Sequence, residues 1–135
     1  MPHTNEEMLG RFYGAYADRD PDRIARLLTD DAFVHVPGNG GLAGTYRGTA
    51  EATGFFSAVW QQAPDGFDLD IHEILANDHH GLVIVKVTAE RGDHRYNEWE
   101  THVHELTDGS SAGVFLYWND ISPAEAYFSS PQAEA

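Results

Sequence analysis

Three turn-forming pairs, Asn77-Asp78, Gly92-Asp93 and Asp108-Gly109, cut the second half of this chain into strand-like stretches at about 67–76, 81–91, 94–106 and 112–119. Long strands joined by short turns pair with their neighbours as a meander. The segments before them read mainly as helices, so the order of elements is α+β. At 135 residues the chain fits one domain with one core, and a chain of this size buries roughly two-thirds of its unfolded surface.

Thr4-Asn5-Glu6-Glu7 has the spacing of a capping box, predicting a helix capped by Thr4 with Glu7 reaching back. Met8, Leu9, Phe12, Tyr13, Ala15 and Tyr16 then draw an aromatic stripe to about Ala17. Asp20-Pro21 restarts a helix with Ile24, Leu27 and Leu28 as its apolar face, and the two helices should form a hairpin. Ala32–Val36 reads as the first strand, stopped by Pro37-Gly38. A glycine-rich loop follows to Gly44. Thr49 is placed to cap a third helix bearing Ala52, Phe55, Phe56, Val59 and Trp60, which Pro64-Asp65-Gly66 ends. A short helix from Ser122 should precede Pro131, beyond which the tail should fray.

Composition narrows the function. Eight Lys plus Arg against 22 Asp plus Glu leave a net charge of −14, which repels phosphate backbones and anionic lipid. Neither nucleic acid nor a membrane is an expected partner. The absence of cysteine removes disulfides, thiol nucleophiles and sulfur-bound zinc. Met1–Glu7 lacks the basic and apolar start of a signal peptide, so the cytoplasm is expected. Gly38–Ala43 matches G-x-G-x-x-A, but no helix opens directly after it and no parallel βαβ unit surrounds it, so the match implies no nucleotide site.

The stretch from Asn97 to Leu106 carries the most chemistry. Strand alternation puts Glu98, Glu100, His102, His104 and Leu106 on one face, and Asn97, Trp99, Thr101, Val103 and Glu105 on the other. Periodicity alone leaves open which face points inward. Facing water, the acidic and imidazole groups are a polar patch; in a pocket, they are acid, base or hydrogen-bonding groups. Ligands spread along one strand cannot close a metal site without help from elsewhere, so no metal or other cofactor is expected. His35 and His72 read as half-buried structural groups, and His79-His80 as a solvated hairpin tip.

Three segments together resemble a family: Leu28–Gly38 with Leu42–Gly48, Ile71–Asp78, and His102–Gly109. They are similar to the SnoaL-like branch of the nuclear transport factor 2-like superfamily, with the likeness covering about residues 5–128. The resemblance implies a cone-shaped roll, with three N-terminal helices packed on a curved, mostly antiparallel sheet that encloses one pocket. Ketosteroid isomerase, polyketide cyclases, limonene epoxide hydrolase, dehydratases and non-enzymatic binding modules share that scaffold. Matched to ketosteroid isomerase, Val36 falls at the catalytic Asp, Phe12 at the oxyanion Tyr and His102 at the oxyanion Asp, so steroid isomerisation by that mechanism is not expected.

The same match turns His102, Glu100, Glu98 and His104 toward the pocket. It implies apolar walls from Phe12, Tyr16, Val34, Val36, Phe56, Trp60, Phe115 and Tyr117, and puts Asp120 near an acidic catalytic group of the cyclases. The expected function is a cofactor-independent lyase, isomerase or cyclase acting on a hydrophobic carbonyl compound, with His102, Glu100 and Asp120 as catalytic residues. The alternative is a non-catalytic ligand-binding or dimerisation module. The Asp-Arg-Asp arrangement of an epoxide hydrolase is not found on the strands. A homodimer through the convex sheet face is expected, since Trp99 and Val103 would otherwise be exposed there.

Overall fold

The computed structural model describes residues 3–128. Four helices, α1 (Thr4–Ala17), α2 (Pro21–Arg26), α3 (Gly48–Gln61) and α4 (Ile121–Phe128), pack on six strands. These are β1 (Leu28–Val36), β2 (Gly44–Arg47), β3 (Gly66–Ala76), β4 (His80–Arg91), β5 (His94–Thr107) and β6 (Ser110–Trp118). The sheet order is β2-β1-β6-β5-β4-β3, antiparallel throughout except for the parallel β1–β6 pair. This is the α+β roll implied by the resemblance, a curved sheet that does not close on itself. Irregularities in β1, in β3 and at Ala112 of β6, opposite Glu105 and Leu106, break the ladder where bulges let strands bend.

The aromatic stripe of α1 lies against the sheet, with Met8, Leu9, Phe12, Tyr13 and Tyr16 at most 3% exposed. Burying each such side chain stabilises the fold by about 1.5–3 kcal/mol. Helix α1 comes so close to β4 that a Cβ at Gly81 would collide with the Leu9 side chain.

Two helix starts differ from expectation, both because tertiary contacts override local capping. His3, not Thr4, caps α1 by accepting from the Asn5 N–H at 3.0 Å. The first turn is docked on the β3–β4 turn: Asn5 donates to the Asn77 carbonyl, and Glu6, rather than Glu7 folding back, accepts from the Ala76 N–H. Helix α3 starts at Gly48 directly from β2, a strand the sequence did not suggest. Thr49 donates to the Thr29 carbonyl at 3.1 Å instead of capping, and Glu51 accepts from the Arg47 N–H. β1 also begins earlier than expected, at Leu28. The expected fraying beyond Pro131 lies outside the described residues.

Candidate active site

The site is built on one face of β5. Tyr96, Glu100, His102, His104 and Leu106 are all at most 4% exposed, while Glu98 on the same face is half-buried. In the ladder, Glu100 sits between Val85 and Trp118, His102 between Val83 and Leu116, and His104 between Gly81 and Val114. Polar groups on this strip therefore have apolar flanks. With no water to meet, they must find partners along the strip or from the helices above it.

They find both. Tyr96 donates its hydroxyl to Glu100 Oε2 at 2.8 Å, and Glu100 Oε1 meets His102 Nε2 at 2.8 Å. His102 Nδ1 meets the Tyr13 hydroxyl from α1 at 2.6 Å, and that hydroxyl also meets His104 Nε2 at 2.8 Å. His104 Nδ1 then meets Ser111 Oγ at 2.9 Å, and Ser111 donates to the Gly113 carbonyl at 3.3 Å. One unbroken hydrogen-bonded chain thus runs from Tyr96 to Gly113 through the core. Among the described residues, no buried side-chain nitrogen or oxygen lacks a partner.

Burial dominates the electrostatics. It pushes His104 down to about 3, helped by the neighbouring His102, so this ring is neutral at any ordinary pH. Burial likewise raises the Tyr13 phenol well above its usual range, with smaller contributions from Tyr16 and the Glu100 carboxyl. Tyr16 and Tyr96 are raised by the same desolvation, with Glu100 adding to both. These phenols keep their hydrogens.

Phe12, Tyr16, Phe56 and Trp60 from the helices and Val34 and Val36 from β1 are all buried in the same core. Their rings fill the interior: Phe12 lies edge-on to His104 at 5.2 Å, and Tyr16 to Phe56 at 4.8 Å. Ring-to-ring contacts of this kind run through the space between α1, α3 and the sheet. Clefts among the described residues include a small one between Val36, Leu42, Trp118 and Phe128 and one of about 190 Å³ on the outer face between Phe33, His35, Thr45, Arg47 and Phe115.

Three expected site residues are not in the cluster. Tyr117 is 51% exposed, and Phe115 packs on Phe33 at 5.0 Å over the outer face. The bulge explains both. Plain hairpin pairing across Asp108-Gly109 would oppose His102 to Phe115 and Glu100 to Tyr117, whereas the extra residue pairs them with Leu116 and Trp118. Asp120 is exposed in the turn before α4, where its carboxylate accepts from the Ser122 N–H at 3.1 Å.

Sequence reasoning also missed three members. Tyr13 was visible only as part of an aromatic stripe, Tyr96 lay at the start of the strand beyond the acidic run, and Ser111 pairs with Leu106, diagonally across from His104. No group of three or more His, Asp or Glu side chains among the described residues is arranged to hold a metal ion. No described helix is long and apolar enough to cross a membrane.

The sequence model of one family, the SnoaL-like domain, matches residues 9–113. The chain belongs to the SnoaL-like family. Solved structures share this fold across nearly the whole chain. Bal32a, from a soil-derived mobile gene cassette, superposes with a TM-score of 0.87 at 23% identity, covering 93% of this chain and 96% of its own. TerC, crystallised with polyporic acid, gives 0.79 at 20% identity over 93% of this chain and 98% of its own. An epoxide hydrolase of Mycobacterium tuberculosis resembling limonene epoxide hydrolase gives 0.71 at 20% identity, over 93% and 89%. At these identities the likeness is one of fold. A search of the curated proteins finds no match.

Proposed function

We propose that this SnoaL-like protein is a cofactor-independent lyase, isomerase or cyclase that applies acid–base chemistry to a hydrophobic carbonyl compound of polyketide or terpenoid character. The observation that carries the reading is the 2.8 Å contact of Glu100 Oε1 with His102 Nε2, between side chains 4% and 3% exposed in an apolar interior. A carboxyl–imidazole pair kept from water can give a proton to a carbonyl oxygen or take one from the adjacent carbon. Both ring nitrogens of His102 are engaged, so Glu100 is the group with capacity left for a ligand, and His102 stands behind it as its proton partner.

Phe12, Tyr16, Val34, Val36, Phe56 and Trp60 are the walls in this reading, and their rings shift to admit the ligand. Entry is from the end of β5 near α4, where Tyr96 packs on Phe128 at 5.0 Å and a small cleft runs between Val36, Leu42, Trp118 and Phe128. There the Asn39 N–H donates to Glu125 Oε2 at 2.7 Å, clasping the glycine-rich loop to α4. A homodimer through the outer face is part of the proposal, because Trp99 and Val103 are only half-buried there and Leu75 is 51% exposed.

Hydrogen exchange at the carbon next to a carbonyl tests the chemistry common to all three reaction types. The protein should catalyse deuterium uptake from D2O into at least one of a panel of cyclic aryl ketones, followed by NMR. His102→Gln should slow it on the order of 100-fold in a folded protein, and His79→Gln at the exposed hairpin tip should not. A second reading, a binding module without turnover, draws on the ring-filled interior. Bound ketones with no exchange above the buffer rate would favour that reading.

A further inference from the structure

The chain of hydrogen bonds has a direction, and its far end sets it. The Gly113 carbonyl can only accept, so the hydroxyl hydrogen of Ser111 is committed to it. Ser111 Oγ can then meet His104 Nδ1 only as an acceptor, so His104 carries its hydrogen on Nδ1. That ring is neutral, which leaves Nε2 bare, and the bare nitrogen takes the hydrogen of Tyr13. Tyr13 has one hydrogen, so its oxygen must accept from the other side, and the donor there is Nδ1–H of His102. With Nδ1 occupied, the 2.8 Å contact between His102 Nε2 and Glu100 Oε1 must hold one further hydrogen, since two bare acceptors would repel.

We infer that Ser111, His104 and Tyr13 are positioning residues that fix the hydrogen of His102 on Nδ1 and so confine one mobile proton to the Glu100–His102 contact. This deepens the proposed function by saying what regulates the same pair. Whether the proton sits on Nε2 or on Oε1, the pair is neutral overall. The reversed chain, with every donor pointing toward Glu100, contains one hydrogen fewer and leaves a net carboxylate charge in the core. Glu100 would then be buried against Tyr96, Tyr13 and Tyr16, with Glu98 half-buried two residues away on the same strand face, and with no cation in the chain to offset it. Burial of an uncompensated charge weighs against that arrangement, in the same sense as the Ser111 hydroxyl that decides the direction. A peptide carbonyl is too weak a base to hold a proton, so the chain cannot drain the contact toward β6. It latches the proton rather than conducting it.

The test reads ring nitrogens directly and needs no substrate, so its outcome is separate from whether turnover occurs. In protein with 15N-labelled histidine at pH 7, two-dimensional NMR should show hydrogen on Nδ1 of both His102 and His104, and a bare Nε2 on His104. Ser111→Ala removes the acceptor of His104 Nδ1–H. His104 should then move its hydrogen to Nε2, Tyr13 should turn toward His102, and His102 Nδ1 should become bare at the other end of the chain. Ser111→Thr, which restores the hydroxyl, should return the wild-type pattern. Tyr13→Phe cuts the chain in the middle, and there His104 should keep its Nδ1 hydrogen on Ser111 while His102 changes. A bare Nδ1 on His102 in the wild-type protein overturns the inference without any variant. So does an unchanged His102 in folded Ser111→Ala.

Discussion

The two faces of β5 invert the usual relation between polarity and burial. The inner face carries Glu100, His102 and His104 yet is almost completely dry, while the outer face carries Trp99 and Val103 and is half open. What covers a face decides its burial: α1 and α4 lie over the inner one, whereas Trp99 has His72 edge-on at 5.5 Å and Lys86 over its ring at 5.7 Å. The inner residues are tolerated because each polar atom has a partner. The difference puts the cost of burying polar groups on the inner face, since apolar side chains of similar volume would fill that space without needing the chain.

The largest expected contrast follows directly. Glu100→Ala leaves His102 and Tyr96 without their shared acceptor and should cost about 3–5 kcal/mol in denaturant unfolding, against about 1 kcal/mol for Trp99→Ala in the monomer. Equal losses would break the comparison. A second contrast is with pH. Native His104 stays neutral down to about 3, whereas in the unfolded chain it takes up a proton below about 6.5, so the unfolded state binds more protons in that window. Stability contributed here is full above the unfolded value and is lost as pH falls. The wild-type protein should lose up to about 2 kcal/mol between pH 6.5 and 5 through this group, and His104→Gln should flatten the slope.

Smaller effects sharpen the picture. Tyr13→Phe strands the His102 donor and the His104 acceptor and should cost about 1–2 kcal/mol, measured by chemical denaturation. On the outer face, Val103→Lys should leave thermal stability of the monomer nearly unchanged while converting the proposed dimer to monomer in light scattering. A wild-type protein that already runs as a monomer at tens of micromolar would remove the partner from that face.

Much of the fold was legible because it is written in spacing. Turn pairs delimited β3 to β6, and the stripe of α1 gave its buried face. β2 was not, because the three residues between Gly44 and Gly48 are too few to show alternation. The alternation of β5 separated the chemistry-bearing face from Trp99 and Val103, and the match at His102 chose which pointed inward. Phe115 and Tyr117 were misplaced by one bulge, whose extra residue is Ala112 of β6 beside Gly113. Tyr13 is the instructive miss. A phenol in an apolar stripe reads as packing until the imidazoles beneath it are known, since its role depends on residues 89 and 91 positions away in sequence.

The central claim, that the dry polar face of β5 receives a carbonyl ligand, is tested most directly by titrating 2-tetralone into 15N-labelled protein and following backbone and side-chain resonances. The account predicts changes at Tyr96, Glu100 and the His102 ring, with Val34 and Val36 moving as the interior opens and the Trp99 indole unmoved. Changes confined to Trp99, Val103 and Phe115, with the His102 ring unmoved at saturation, would contradict it.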